Sequence, residues 1–505
     1  MSTKRQGGWC VVIALAACVA AGCGGAGGAA RTADPLSDAR NPKLSTKARV
    51  EAVGPAWEAS AGNAADRNVT REALKAIAWS RSEPRDLRMA SLRAVLSDAE
   101  HEADSRQLVS LMLPHEPDRE VVALLGTVAA RSGWADATSA LVRSLSRPML
   151  SVKDNERAEW RAIEALHPGR PVEEVVLGVF LDPQTDPGPG DARYDERVRA
   201  SAWDLLGRLD PTGVRRAEVL TTMDTSGVSG ESRAAVEDIR AAFRDLAAAP
   251  VTGEELKWLR SLRDGSKREN AAWWGEATRA IAPLDSERRR GLGLRHAEPI
   301  RWATANRPEW IAAGRAELLS EVRSRLADRR HYRRVKDDTE FTKPHPDRLS
   351  DWEERLTWAD LLTILLIDDA LADEHVRREL FRQADLDRDD GTTEYGGIVE
   401  SEGEPVRAVL FVPRASQRRH DREFVASQDM IDASDRALAH YHFHAQKARN
   451  REYAGPSMPD LVTAARLGRT SLVFTSIDRD LLNADLYQPD GVLIDLGEVR
   501  RPRGE

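Results

Sequence analysis

Two kinds of hydrophobic pattern divide this chain. Through its middle, apolar residues recur three and four apart, which is the spacing of one buried helix face. Segments 71–80, 86–98, 119–131, 135–145 and 197–209 share that spacing. Each is short and is followed by Pro, Gly or Asp, so the pattern predicts amphipathic helices in series joined by short turns. Segments 182–191 and 221–232 are surface connections by composition. Helix resumes over 317–330, gives way to a polar, Pro-containing stretch at 338–354, and returns as a strongly apolar helical run at 356–385 that either opens the last domain or is the hinge that docks it. Beyond Asp385 the pattern changes. Runs or alternations of Val, Ile, Phe and Tyr at 393–400, 406–413, 437–444, 470–476 and 491–497 predict strands, with helical patterns at 430–439 and 457–468 between them. The expected fold class is multidomain: an all-α, helical-repeat-like region followed by an α/β domain built around a sheet.

At 505 residues the chain exceeds one ordinary core. With 31% charged and 41% hydrophobic residues it has the balance of a soluble globular protein. A net charge of -8 argues against a general nucleic-acid binder, which would be basic. The basic pairs Arg329, Arg330 and Arg333, Arg334 read as solvated helix surface.

The N-terminus stands apart. Lys4 and Arg5 precede an apolar run at 9–21, then Gly22 and Cys23. The run is short for a membrane-spanning helix, which needs about 20 apolar residues. The order resembles a bacterial lipoprotein signal at 1–22. That resemblance implies a lipid on Cys23, attachment to a membrane through it, and a place in the cell envelope facing periplasm or exterior. Cys10 and Cys18 lie inside the run, so the mature chain has no disulfide framework, Cys-rich zinc site or cysteine nucleophile. Any metal must be held by His and carboxylates. Residues 23–60, poor in groups to bury at their start, read as a flexible tether.

The helical series at 61–250 loosely resembles HEAT-like repeats, on spacing and composition alone, and an irregular all-helical domain fits the same spacing; a helical extension follows at 251–350. Stacked helix pairs imply a surface for a protein partner. Trp134, Trp160, Trp203 and Trp258 sit inside helical patterns and are expected to fill seams between helices, not to bind carbohydrate. His345, between two prolines, reads as a surface residue. The acidic segment 385–391 begins like a calcium loop, but its Gly falls one place late and no Glu occupies the twelfth position, so it reads as a polar turn.

Candidate chemistry lies in the last domain, 351–500. His440, His442 and His444 alternate on a predicted strand, so all three imidazoles share one face. Burying them together is costly without a partner such as a metal. Ser457 stands where it would cap the next helix, with Asp460 in that helix's first turn. Two His nitrogens and an Asp oxygen make a three-donor zinc set that leaves a position for water. Glu394, just before Gly396 and Gly397, is the nearest candidate base.

Glu394, His442-Phe443-His444 and Ser457-Met458-Pro459-Asp460 together resemble the JAB/MPN (JAMM) zinc metalloproteases, over roughly residues 385–500. The resemblance implies zinc on His442, His444 and Asp460, acid/base work by Glu394, and oxyanion stabilisation by Ser457. His440 is the alternative ligand, since His440 and His442 also have the pair spacing. The separation of His444 from Ser457 is longer than usual for the family. The implied function is zinc-dependent hydrolysis of peptide, isopeptide or related amide bonds in a protein or peptide substrate. The alternative is a non-catalytic, membrane-tethered protein-binding scaffold.

Overall fold

The computed structural model describes residues 31–503 except 150–151, 184–193, 211–213, 229, 336–344, 402–405 and 421–423. The signal-like segment and Cys23 therefore lie outside the described residues. Packing divides the chain into two compact units, one ending at Leu108 and one running from Val109 to Glu505. Among the described residues no helix is long and apolar enough to cross a membrane.

The first unit is a series of short helices, including Pro35–Arg40, Thr46–Ala59, Ala64–Trp79 and Arg85–Leu96. Two of these fall where a flexible tether was expected. The reason is local: Asp34 and Ser45 each cap a helix with a side-chain oxygen, and Ala39, Leu44, Val53 and Ala56 are buried. Small apolar residues suffice there because capping satisfies the first amides. Arg71, 2% exposed, ties the unit together by bonding the Val95 carbonyl, Ser105 Oγ and the Asp104 carboxylate.

The second unit continues the tandem helices and ends in a mixed α/β region. Trp134, Trp203 and Trp258 are buried in it, with the indole of Trp203 donating to the Pro250 carbonyl at 3.0 Å. The packing expectation for these three therefore holds. The apolar run predicted as one helix is two, Trp358–Ala372 and Glu374–Asp389. Asp373 breaks it by capping the second with its side chain, which accepts from the amides of His375 and Val376. The first of the pair is buried on nearly every side. Its Thr357–Asp360 capping box also takes a hydrogen bond from the fully buried His296, at 3.0 Å.

The sheet has six strands: β1 (Gly396–Glu400), β2 (Arg407–Phe411), β3 (Ala439–His444), β4 (Ser471–Asp478), β5 (Leu481–Tyr487) and β6 (Leu493–Arg500), in the order β2-β1-β3-β4-β5-β6. Only β3 and β4 pair in parallel; the other neighbours are antiparallel. A parallel neighbour demands a crossover, and here it is helix Met458–Leu467. That helix lies on one face of the sheet, with Ala464 and Leu461 against Val473, Tyr487 and Leu493. On the opposite face Tyr441, Phe443 and Phe474 cluster at centroid distances of 5.6 to 5.8 Å. The Tyr441 hydroxyl donates to Gln383 of helix Glu374–Asp389 at 2.6 Å, so that helix backs the sheet.

Three sequence expectations need correction. The segment 430–439 is a short helix, Gln428–Ala433, then a tight turn running into β3, because Ser434 and Asp435 are drawn off by Arg469. The acidic segment 385–391 is mostly the last turn of helix Glu374–Asp389, not a turn before the strand. Its carboxylates have other work: Asp385 pairs with Arg388 and Arg501, and Asp387 accepts from the Tyr395 amide at 2.6 Å. The arginines at 329–334 follow the end of helix Arg315–Leu326 and do not form a solvated helix face. Arg329 binds Asp368 and the Leu496 carbonyl, Arg333 binds Asp347, and Arg334 binds the Tyr453 and Gly455 carbonyls.

Candidate metal centre

Strand period places His440, His442 and His444 on the face covered by helix Met458–Leu467, and all three are buried. His442 and His444 turn their Nε2 atoms toward each other, 3.3 Å apart, with the rings at 75°. Their Nδ1 atoms face outward. That of His444 lies 3.3 Å from the Tyr453 carbonyl, and that of His442 lies 3.5 Å from the Tyr487 hydroxyl. Such outer contacts orient imidazole ligands in metal sites.

Asp460 reaches the pair from the helix. Ser457 and Asp460 form a reciprocal capping box: the Ser457 amide and hydroxyl each donate to Asp460 Oδ2 at 2.7 Å. This fixes the carboxylate with Oδ1 at 3.5 Å from His442 Nε2 and Oδ2 at 3.8 Å from His444 Nε2. Glu394 closes the other side. It is 5% exposed, accepts from Gln446 Nε2 at 3.0 Å, and offers an oxygen that, with one nitrogen from each of His442 and His444, forms a set within 4.8 Å of one another.

Gly396 makes room for one more wall. It pairs with His442 across β1 and β3, and a β-carbon on it would fall 2.5 Å from the Tyr441 carbonyl and 2.6 Å from the Phe424 ring. The missing side chain lets Phe424 lie parallel to His442, with centroids 5.7 Å apart.

The donor set fits a small cation. Tetrahedral zinc with bonds of about 2.0–2.1 Å separates its ligand atoms by about 3.3–3.4 Å. The 3.3 and 3.5 Å separations match that edge, and 3.8 Å is slightly wider. Electrostatics points the same way, because two carboxylates meet in a buried place. Burial opposes charge on Asp460, yet His442, His444 and Ser457 hold its carboxyl below the usual range. Burial likewise lowers His442, but Asp460, Glu394 and Asp387 outweigh it and raise the ring's pKa. Burial and the neighbouring His442 push His444 down to about 4. A site that draws one proton onto two imidazoles is one where a cation can replace that proton.

His440 does not join this group. It lies opposite Ser471, and its Nε2 has no hydrogen-bond partner among the described residues. Burial, then the charge of Arg469, hold it well below the ordinary histidine value, so it stays neutral. His345 is half-buried, its Nε2 2.9 Å from the Gly491 carbonyl and its ring against Trp352. Gln446, Tyr453, Tyr487, Phe424 and Asp387 surround the site without a sequence motif announcing them.

Comparison with protein-family models, with curated proteins and with solved structures gives no match. The architecture defines a tandem-helical region followed by a mixed α/β region carrying a candidate three-residue metal cluster, Glu394, His442 and His444.

Proposed function

We propose that the C-terminal region is a zinc-dependent hydrolase of peptide, isopeptide or related amide bonds, of JAB/MPN type. The observation that carries this reading is the convergence of His442, His444 and Asp460 within 3.3 to 3.8 Å, with Glu394 buried beside them. His442, His444 and Asp460 would hold the ion. When bound, zinc supplies Lewis acidity and lowers the pKa of water to near neutral.

The chain's own residues account for the rest. Glu394 takes the proton of the attacking water and passes it to the leaving amine, its carboxylate oriented by the hydrogen bond it accepts from Gln446. The Ser457 hydroxyl rests on Asp460, while its backbone amide holds the same oxygen independently. Rotation about the serine Cα–Cβ bond therefore frees the hydroxyl to stabilise a substrate oxyanion without releasing Asp460. Phe424 and helix Met458–Leu467 exclude water from two sides.

In this reading the lipid on Cys23 holds the enzyme at the cell envelope, and the HEAT-like helices present a protein or peptide substrate. The test is metal analysis of the full-length protein together with hydrolysis of a quenched-fluorescent peptide library. One zinc per chain, with Glu394→Gln keeping the metal and losing turnover, supports the assignment. No bound metal after zinc loading leaves the non-catalytic scaffold, and wild-type rates in Glu394→Gln remove that residue from its role.

A further inference from the structure

Four buried guanidinium groups among the described residues meet carboxylates. Arg49, Arg71, Arg157 and Arg469 lie 2.7, 2.8, 2.6 and 3.2 Å from Glu83, Asp104, Glu159 and Asp435. Arg199 differs from these four. It is 7% exposed, and among the described residues no carboxylate lies within ion-pair distance. Its Nε and Nη2 both donate to one acceptor, Ser232 Oγ, at 3.2 and 3.0 Å. That leaves the terminal Nη1–Nη2 edge, the one that receives a carboxylate end-on with two parallel hydrogen bonds. Burying a guanidinium without such a partner costs stability. Burial draws the Arg199 pKa down, and the more distant Asp195 and Glu231 do not offset it.

Arg199 lines a cavity of about 610 Å³ between helices Tyr194–Leu209, Gly230–Leu246 and Gly253–Leu262. That volume is within the range of small-molecule sites, about 300–1,000 Å³. The cavity's other cations are already engaged: Lys257 with Glu254 at 2.9 Å, and Arg260 with Asp238 and Glu231 at 3.6 and 3.7 Å. Its exposed rim carries Glu196, Glu231 and Asp264. A single buried anion receptor beneath an acidic rim selects a ligand with both signs of charge. We infer that this cavity binds a carboxylate whose own residue carries a cationic side chain, as in a basic amino acid or the free C-terminal residue of a peptide ending in lysine. The carboxylate sits on Arg199 and the ammonium on the acidic rim. The site is separate from the histidine centre, and its test does not depend on metal or catalysis.

The experiment is calorimetric titration of the full-length protein with L-lysine, Ala-Lys, Ala-Ala and Ala-Lys amide. Ala-Lys is expected to bind saturably, with Ala-Ala and the amide each weaker by about 30-fold, since each lacks one charge. Stronger binding of Ala-Lys than of L-lysine marks a peptide end, and the reverse marks a free amino acid; both support the inference. Arg199→Gln should abolish binding. Arg199→Lys, which keeps the charge and loses the fork, should weaken it by at least about tenfold and serves if Arg199→Gln does not fold. Equal binding of the amide or of Ala-Ala overturns the inference. So does wild-type affinity in Arg199→Lys, or no binding by either lysine ligand at about 10 mM.

Discussion

Replacing Asp460 by Ala separates two duties that one carboxylate performs, and the size of each can be worked from the structure. The side chain is one of three donors facing a common point, at 3.5 and 3.8 Å from the two imidazole nitrogens. Zinc sites bind with about 10–16 kcal/mol, so one of four coordination positions carries about 3–4 kcal/mol, or about 10²–10³-fold in Kd. The same carboxylate closes the capping box with Ser457, worth about 1 kcal/mol of folding stability. Competition against a chromophoric chelator reads the first effect, and urea denaturation of the metal-free protein reads the second. Zinc at about 100 times the wild-type Kd should stabilise the wild type by about 2.7 kcal/mol and the variant by about 0.4 kcal/mol or less. Ser457→Ala is the control: it loses the cap but keeps the donor, so its metal-free stability falls by about 1 kcal/mol while zinc affinity stays within about tenfold. A zinc Kd for Asp460→Ala within about threefold of wild type would refute the convergence of these groups on one ion.

Three further outcomes are expected. Tyr487→Phe removes the hydroxyl beside His442 Nδ1 and should weaken zinc binding by about tenfold with little change in the metal-free fold, measured by the same chelator competition. Gly397→Ala should destabilise the domain by about 3 kcal/mol or more, or prevent folding, because its β-carbon would overlap the Val409 carbonyl and the Tyr441 hydroxyl; a urea midpoint equal to wild type contradicts the packing described. The third concerns pH. His296 accepts from the Gly293 amide on Nδ1 and faces Asp360 on Nε2, so a second ring proton would point at an N–H. Burial first, then Arg295, lower its pKa below the ordinary value. The unfolded chain therefore binds more protons than the folded one, and stability is full above about pH 6.5 and declines as pH falls below it. His296→Gln should flatten the change in urea midpoint between about pH 7.5 and 5.5; an unchanged slope in that variant rules out His296 as its source.

Much of the histidine centre was legible because its members obey short-range rules. A period of two aligns His442 with His444, and a Ser three residues before an Asp is a helix-start signature whatever the fold. Glu394 was found through the adjacent glycines, whose need is now explained by Phe424 on one face and Tyr441 on the other. Gln446 and Tyr487 were not legible, because their contacts depend on sheet register and on a loop path that no local pattern encodes. The helices before Ala59 were missed since Ala-rich, weakly apolar stretches read as linker until a cap and a neighbour are known. Strand β5 was hidden for a related reason: Asn483 and Asp485 break its apolar run, yet both are buried, with the Asn483 amide donating to Asp485 at 2.9 Å and to Asp495 at 3.1 Å.

The parallel pairing of β3 with β4 has an engineering consequence. Because those strands run the same way, the polypeptide must travel back over the sheet before β4 begins, and Ser457 and Asp460 ride on that return journey. Severing the backbone at residues 446–456 would break the direct covalent link between the histidines and the carboxylate. Cutting at residues 488–492, between two antiparallel strands, would leave the histidine centre covalently connected. The two nicked chains should look alike by circular dichroism and differ in how tightly they retain the ion.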